Sequence, residues 1–341
     1  SYTELIQMME GGGNSKDILK KHLGLLLRAI KNTGYTCSSF HAHYETIKLR
    51  LNKRENAVFQ MLEAIFSHYQ RVLQEERRVD FEDMINHAVA LLGGQSPSQV
   101  IANRFDWIFV DEYQDISLQR LHFLHALLRH NPSAKLFCVG DDWQSIYGFS
   151  GATSRYMVQF EKYFPDTEQL FLTHNYRNPA QILKFGQATI KNCKEKIDKT
   201  LIPLQLPGDT PQKAHITLIA CPSESKWKYL DFQKQECIHI VQELMQQGTP
   251  PTQILVLSRF NFGYAEVKES CLETLQLPVT TIKEGEQIKP GLRFSSMHRA
   301  KGTEADYVFL LNLTSGTYGM PPELRNPLNM KWINPDLPDT V

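Results

Sequence analysis

Four apolar residues, Trp107-Ile108-Phe109-Val110, run straight into two carboxylates, Asp111 and Glu112. That junction constrains the fold more than any other feature of the chain. A run so short and so apolar reads as a strand buried on both faces, the habit of parallel sheets covered by helices. The same texture recurs at 135–140, 169–173, 215–220, 254–258, 293–297 and 307–312. Amphipathic helical stretches lie between these runs, near 117–130, 155–163, 178–194 and 228–247. Apolar strands alternating with helices specify an α/β fold built on parallel sheets.

The first part of the chain has a different period. Residues 16–92 read as helical, with Leu19, Leu23, Leu26, Leu27 and Ile30 on one face. Val58, Met61, Leu62, Ile65, Phe66, Tyr69 and Leu73 line a second such face. Gly11, Gly12 and Gly13 predict a loop, and so does 203–213, which holds three prolines and a glycine. The chain opens on Ser1 rather than methionine, which points to a cut boundary.

Composition removes several classes. The six cysteines are scattered and form no CxxC pair, so neither a disulfide framework nor a zinc site is expected. Reduced thiols fit a cytoplasmic protein. No apolar run approaches the ~20 residues of a membrane span, and no signal peptide opens the chain. The 37 basic and 37 acidic side chains cancel; a neutral protein can still carry a charged groove, so nucleic acid stays open as a partner. Lys48, Arg50, Lys53 and Arg54 form a basic cluster that suits either a solvated helix face or contacts to phosphates.

An apolar strand ending in Asp111-Glu112 sets carboxylates at the sheet's carboxyl edge, where open α/β sheets bind ligands. One acid there can hold Mg²⁺ while its neighbour orients or deprotonates a water; a solvated acidic turn gives the same two letters. Further on, Phe137-Cys138-Val139 leads into GDDWQSIYGFSGA, residues 140–152. Gln144 there can report on a γ-phosphate, and Tyr147 and Phe149 can offer stacking surfaces to bases. Taken alone, such an aromatic pair as readily fills core.

The strings decide between these readings. DEYQD at 111–115 resembles motif II of the UvrD/Rep-type superfamily 1 helicases, and VGDDWQSIYGFSGA at 139–152 resembles motif III. HNYRNP at 174–179 is similar to motif IV and MHRAKGTEADYVFLLNL at 297–313 to motif V. DFEDM at 80–84 resembles the helix start that precedes motif II. The wording is nearest to the helicase IV branch. The resemblance implies two incomplete RecA-like lobes of P-loop NTPase type plus an N-terminal helical subdomain. The helical subdomain would span 1–79, the first lobe 80–174 and the second lobe 175–341.

It also implies roles. Asp111 would coordinate Mg²⁺, Glu112 would be the catalytic base, and Gln144 would couple the γ-phosphate of ATP to DNA. Arg177 would act as an arginine finger. Tyr176 would stack on adenine, Glu304 would hold the ribose, and Asp141 would belong to the nucleotide site. Tyr147 and Phe149 would stack on single-stranded DNA, with His298 and Lys301 contacting or supporting the strand. If one lobe carries the acids and the other Arg177, closure of the lobes completes the site.

The chain also departs from the family. It holds no GxxxxGK[ST] phosphate loop (Gly11-Gly12-Gly13-Asn14-Ser15-Lys16 lacks the ending) and no TRA-type motif VI. Gly148 and Ser150 stand where many relatives carry arginine, and Thr303 replaces an apolar residue. The expectation is therefore the central part of an ATP-dependent 3′–5′ single-stranded DNA translocase or helicase, inert by itself as an ATPase. The motor part of a helicase–nuclease and an ATPase-dead binding module are the alternatives.

Overall fold

The computed structural model describes residues 15–94, 103–148, 151–204, 214–222, 226–282, 290–314 and 332–333. The glycine run 11–13, residues 205–213 of the expected loop, and Phe149 with Ser150 lie outside the described residues. The chain divides into two compact units, one made of 1–214 and 326–341, the other of 215–325. The division falls at 214/215, just past the 203–213 segment and beyond the 174/175 boundary drawn from the motifs.

The first unit begins with four helices, α1 (Ser15–Asn32), α2 (Cys37–Ile47), α3 (Lys53–Glu75) and α4 (Phe81–Gly93). Their starts are written in the sequence. Thr36 with Ser39 and Asn52 with Glu55 form reciprocal capping boxes, and Asp80 caps α4 by accepting from the Asp83 N–H. Ile30, Phe40, Tyr44, Phe59, Leu62 and Phe66 make one apolar core among these helices, and Ile333 returns to it. Beside it lies an ionic knot. The Lys31 ammonium, fully buried, meets Asp80 and, at 2.7 Å, Asp83; Tyr69 donates to Asp80 and Gln70 to Asp83.

Strands β1 (Trp107–Val110) and β2 (Lys135–Cys138) pair in parallel across α5 (Leu118–His130), as the apolar runs predict, but they are not buried on both faces as expected, since Trp107, Phe109 and Phe137 stay exposed on the face away from the helices. Ile108, Val110, Leu136 and Cys138 point toward α5 and the short helices α6 (Arg155–Val158) and α7 (Phe160–Tyr163), around Tyr113, Leu121, Leu124 and Tyr156. The single helix expected at 155–163 is broken at Gln159. β3 (His174–Asn175) pairs in parallel with β4 (Ile202–Pro203), flanking α8 (Ala180–Ile190).

The second unit is a four-stranded parallel sheet in the order β6-β7-β5-β8, comprising β5 (Ile254–Ser258), β6 (Val279–Thr281), β7 (Leu292–Ser296) and β8 (Tyr307–Leu310). Helices α9 (Lys226–Gln246) and α10 (Ala265–Leu275) cover one face through Val241, Ile254, Val256, Val267, Leu292 and Phe294.

Two expected strands do not form. Residues 169–173 and 215–220 have no ladder partner among the described residues, and Leu170, Leu172 and Leu218 are exposed. Apolar letters report affinity for burial; a strand also needs a neighbouring backbone to pair with. Conversely β6, with its sequence Val-Thr-Thr, is too short and polar to read by pattern, while α10 carries Val267, Cys271 and Leu275 at helical spacing and was missed.

Candidate functional site

At the carboxyl edge of β1 the backbone turns sharply. Glu112 sits in the left-handed region (φ 51°), a conformation that costs a residue with a Cβ about 1 kcal/mol or more. The Asp111 carboxylate steadies the turn by accepting from the Glu112 N–H at 2.8 Å. Tyr113–Asp115 then form a short 3-10 turn that leaves Asp111 and Glu112 exposed at the edge.

The β2 edge is tied to this turn through Gln114, whose side chain is wholly buried. Its amide donates to the Glu112 carboxylate, and its carbonyl accepts from the Asp141 N–H at 2.9 Å. The Tyr113 N–H reaches the Val139 carbonyl at 2.9 Å, and the Ser145 hydroxyl donates to the main-chain carbonyl of Gln114 at 3.1 Å. Gly140 is the close approach that permits this: a Cβ there would strike the Gln114 side chain and lie 3.1 Å from the Tyr113 nitrogen. DEYQD and GDDWQ are thus one hydrogen-bonded frame.

A second partner arrives from a distant segment. The Lys199 ammonium lies 2.6 Å from both Asp141 and Asp142 and over the Trp143 ring, 5.0 Å from its centre. Asp142 is closed in, its other oxygen accepting from the Ile197 N–H at 2.7 Å, while the Trp143 indole donates to the Ile197 carbonyl. Asp141 also accepts from the Gln144 amide at 2.7 Å. Burial alone would raise the Asp141 carboxyl; the hydrogen bonds from Lys199 and Gln144 more than offset it and hold it below its ordinary value. Lys199 is likewise disfavoured by burial, yet its two carboxylates hold its affinity for the proton above the usual lysine value.

Of the residues singled out in sequence, Asp111, Glu112, Asp141 and Gln144 are therefore assembled on neighbouring strand ends. Tyr147 is half-buried just beyond, and Phe149 lies outside the described residues. Tyr176 and Arg177 follow β3 on a turn in which the Asn175 side chain accepts from the N–H groups of Arg177 and Asn178 at 3.1 and 2.8 Å. Tyr176 is 66% exposed, so its ring face is open to a planar ligand. In the second unit His298, Lys301 and Glu304 occupy the turn after β7, where the Arg293 guanidinium donates to the Glu304 carbonyl at 3.0 Å. Burial, then the charge of Arg259, lowers the affinity of His298 for its proton. The ring is mostly neutral near pH 7, a hydrogen-bonding group rather than a cation.

Gln114 and Lys199 are the residues that sequence reasoning missed. Gln114 lies inside the string used to identify motif II, so a signal existed. Lys199 has none: its partners are brought to it only by the fold. Among the described residues no group of three or more His, Cys, Asp or Glu side chains could hold a metal ion. Mg²⁺ in phosphate sites needs less, one or two carboxylates with water and phosphate oxygens completing the shell, and the exposed Asp111 carboxylate fits that demand. No helix among the described residues is long and apolar enough to cross a membrane.

Comparison with known proteins shows what the chain is similar to. The pattern defining the UvrD/REP helicase N-terminal domain matches residues 4–165. Over 295 residues the chain is 29% identical to DNA helicase IV of Escherichia coli, a match covering 86% of this chain and 38% of that protein. It is 27% identical over 227 residues to the ATP-dependent DNA helicase PcrA of Staphylococcus epidermidis, covering 65% of this chain and 29% of the relative. Against PcrA of Staphylococcus aureus the identity is 35% over 145 residues, 42% of this chain and 19% of the relative. The chain thus spans well under half the length of these relatives.

Proposed function

We infer, from a chain whose residues 4–165 match the UvrD/REP helicase N-terminal domain, that the protein containing it is an ATP-dependent motor moving 3′ to 5′ along single-stranded DNA in the cytoplasm. The observation that carries this reading is the frame through Gln114, which joins Glu112 to Asp141 and so to Gln144. A base and a phosphate-sensing amide that share one rigid hydrogen-bonded unit can respond together to the state of the nucleotide.

Phosphoryl transfer asks the protein for positioning and charge rather than covalent chemistry. In this reading Glu112 takes a proton from the attacking water, and Gln144 hydrogen-bonds the γ-phosphate or that water. Arg177 stabilises the charge that develops on the phosphoryl oxygens. Asp111 would hold Mg²⁺, which neutralises phosphate charge when bound. Tyr176 stacks on adenine, Glu304 accepts from the ribose, and Asp141 sets the orientation of Gln144. On the DNA side Tyr147 and Phe149 stack on bases, while His298, neutral, and Lys301 contact the backbone. Each stack is worth roughly 1–3 kcal/mol, enough to hold a base and little enough to release it. The 341-residue chain, which contains no GxxxxGK[ST] string, is by itself a near-inert ATPase in this account.

Strand displacement by the full-length protein tests the reading. With ATP, a duplex carrying a 3′ single-stranded tail should be unwound and one carrying a 5′ tail should not. Equal unwinding of both, or of neither, would remove the polarity or the motor respectively.

A further inference from the structure

Lys199 reaches the candidate site from a segment that the fold also fastens at a second place. On one side, residues 195–199 are tied to the turn after β2 and to α6. The Ile197 N–H donates to Asp142 at 2.7 Å, and the Trp143 indole donates to the Ile197 carbonyl at 3.2 Å. The Lys199 ammonium sits 2.6 Å from both Asp141 and Asp142. Glu195, at the head of the segment, accepts from Arg155 of α6 at 2.8 Å. On the other side the chain runs directly from Lys199 into β4. There the Ile202 N–H donates to the Thr173 carbonyl at 2.8 Å, and the Leu204 N–H donates to the Asn175 carbonyl at 2.9 Å. Gln187 of α8 holds the approach to β4 by donating to the Leu201 carbonyl at 3.3 Å. Thr173 and Asn175 lead straight into Tyr176 and Arg177.

The ammonium is what lets two adjoining carboxylates stay ionised. The Asp142 side chain is wholly buried, and that of Asp141 is 35% exposed. A buried anion needs a cation or hydrogen bonds to keep its charge. Without Lys199, like charges adjoin, and Asp141, the more exposed of the two, is the one able to turn toward water. Its backbone stays in place, because its N–H donates to the buried Gln114 side chain; only the carboxylate moves. The Gln144 amide then loses the acceptor that now holds it at 2.7 Å. Asp141 thus selects one of the staggered arrangements open to Gln144, and Lys199 selects the position of Asp141.

We propose that Lys199 is a positioning residue for ATP hydrolysis: through Asp141 it holds the Gln144 side chain, and through its own segment it keeps that side chain in register with the strand pair that delivers Arg177. The proposal rests on the reading above, in which Gln144 and Arg177 meet the γ-phosphate, and it adds a residue that no motif contains. Lys199 acts at one remove, by narrowing where Gln144 points. Misplacement of such a group by about 1 Å costs on the order of a hundredfold in rate.

The test measures kcat and KM for ATP with the full-length protein and saturating single-stranded DNA, below the melting temperature of each variant. Lys199→Met should lower kcat about tenfold or more and leave KM for ATP unchanged. The fall should be much smaller when Gln144→Ala or Arg177→Ala is already present, since residues that act as one unit are not additive. Should Lys199→Met not fold, Lys199→Arg, which keeps the charge but presents a flat fork, should give the same pattern in smaller measure. A merely structural lysine lowers the active fraction, and with it kcat, by the same factor in every background. That result, or an unchanged kcat, overturns the proposal and leaves the motor reading in place. If the wild type does not hydrolyse ATP, or Gln144→Ala hydrolyses it as wild type does, that reading falls and the proposal with it.

Discussion

Lys199 ties two carboxylates of the candidate site to a distant segment of the chain. It neutralises two carboxylates, one of them wholly buried, and shields the Trp143 ring. Removing one partner from such a cluster leaves charge in a poor solvent, so Lys199→Met should destabilise the first unit by about 3 kcal/mol, read from urea unfolding midpoints. The pH dependence has a definite sign. The folded Asp141 carboxyl is held below its ordinary value, so its contribution is present above the unfolded pKa, about 4, and fades as pH falls through the folded value. Lys199 is held above its ordinary value, so its contribution is complete below about pH 10 and fades as pH rises through the folded value. Wild type should therefore keep this cluster's stability between those limits and lose it outside them. Lys199→Met should show a lower plateau and a shallower acid slope; a variant as stable as wild type at pH 7 would contradict the account. Gly140→Ala should also destabilise, by about 1–3 kcal/mol, because its Cβ is directed onto the buried Gln114 side chain. An unchanged midpoint would mean the two strand ends are not locked together.

Among the elements, the helical part of the first unit depends on one buried ammonium. Lys31 on α1 joins Asp80 and Asp83 at the start of α4, with Tyr69 and Gln70 of α3 completing the cluster. Lys31→Met should cost about 3–5 kcal/mol and be seen as early loss of helical circular dichroism during urea unfolding; coincident curves for variant and wild type would show the cluster to be dispensable. This knot also shows where legibility in sequence ends. The periodic faces of α1 and α3 were readable because apolar spacing is local, and the start of α4 at Asp80 came from the resemblance of DFEDM to a family helix start. That Lys31 would be buried beside Asp80 was not, since a lysine in a helix reads as solvated. The strands followed the same division. β1, β2, β5, β7 and β8 announced themselves as short apolar runs. Residues 169–173 and 215–220 looked alike but lack paired neighbours among the described residues, and pairing is a property of the assembled sheet. The site divided likewise: the strand-end acids stood in motif strings, whereas Lys199 meets Asp141 and Asp142 only through the fold.

For the whole molecule, the informative surface is the uncovered face of the β1–β2 pair. Trp107 and Phe109 stack at 5.9 Å and Phe137 lies against Phe109, yet these rings are 51%, 70% and 48% exposed. The opposite face is packed on helices. An apolar patch of this kind promotes association, so the isolated chain should bind a hydrophobic dye and scatter light as oligomers. Phe109→Lys with Phe137→Lys should reduce both signals; unchanged signals would place the association elsewhere. The central claim, however, concerns Glu112 as the base of an ATP-driven motor. Its most direct test is ATP hydrolysis by the full-length protein with and without single-stranded DNA, for wild type and for Glu112→Gln. The account predicts strong stimulation by DNA in wild type and a fall of about a hundredfold or more in the variant, with nucleotide binding retained. Hydrolysis that DNA does not stimulate, or that survives Glu112→Gln, would contradict it.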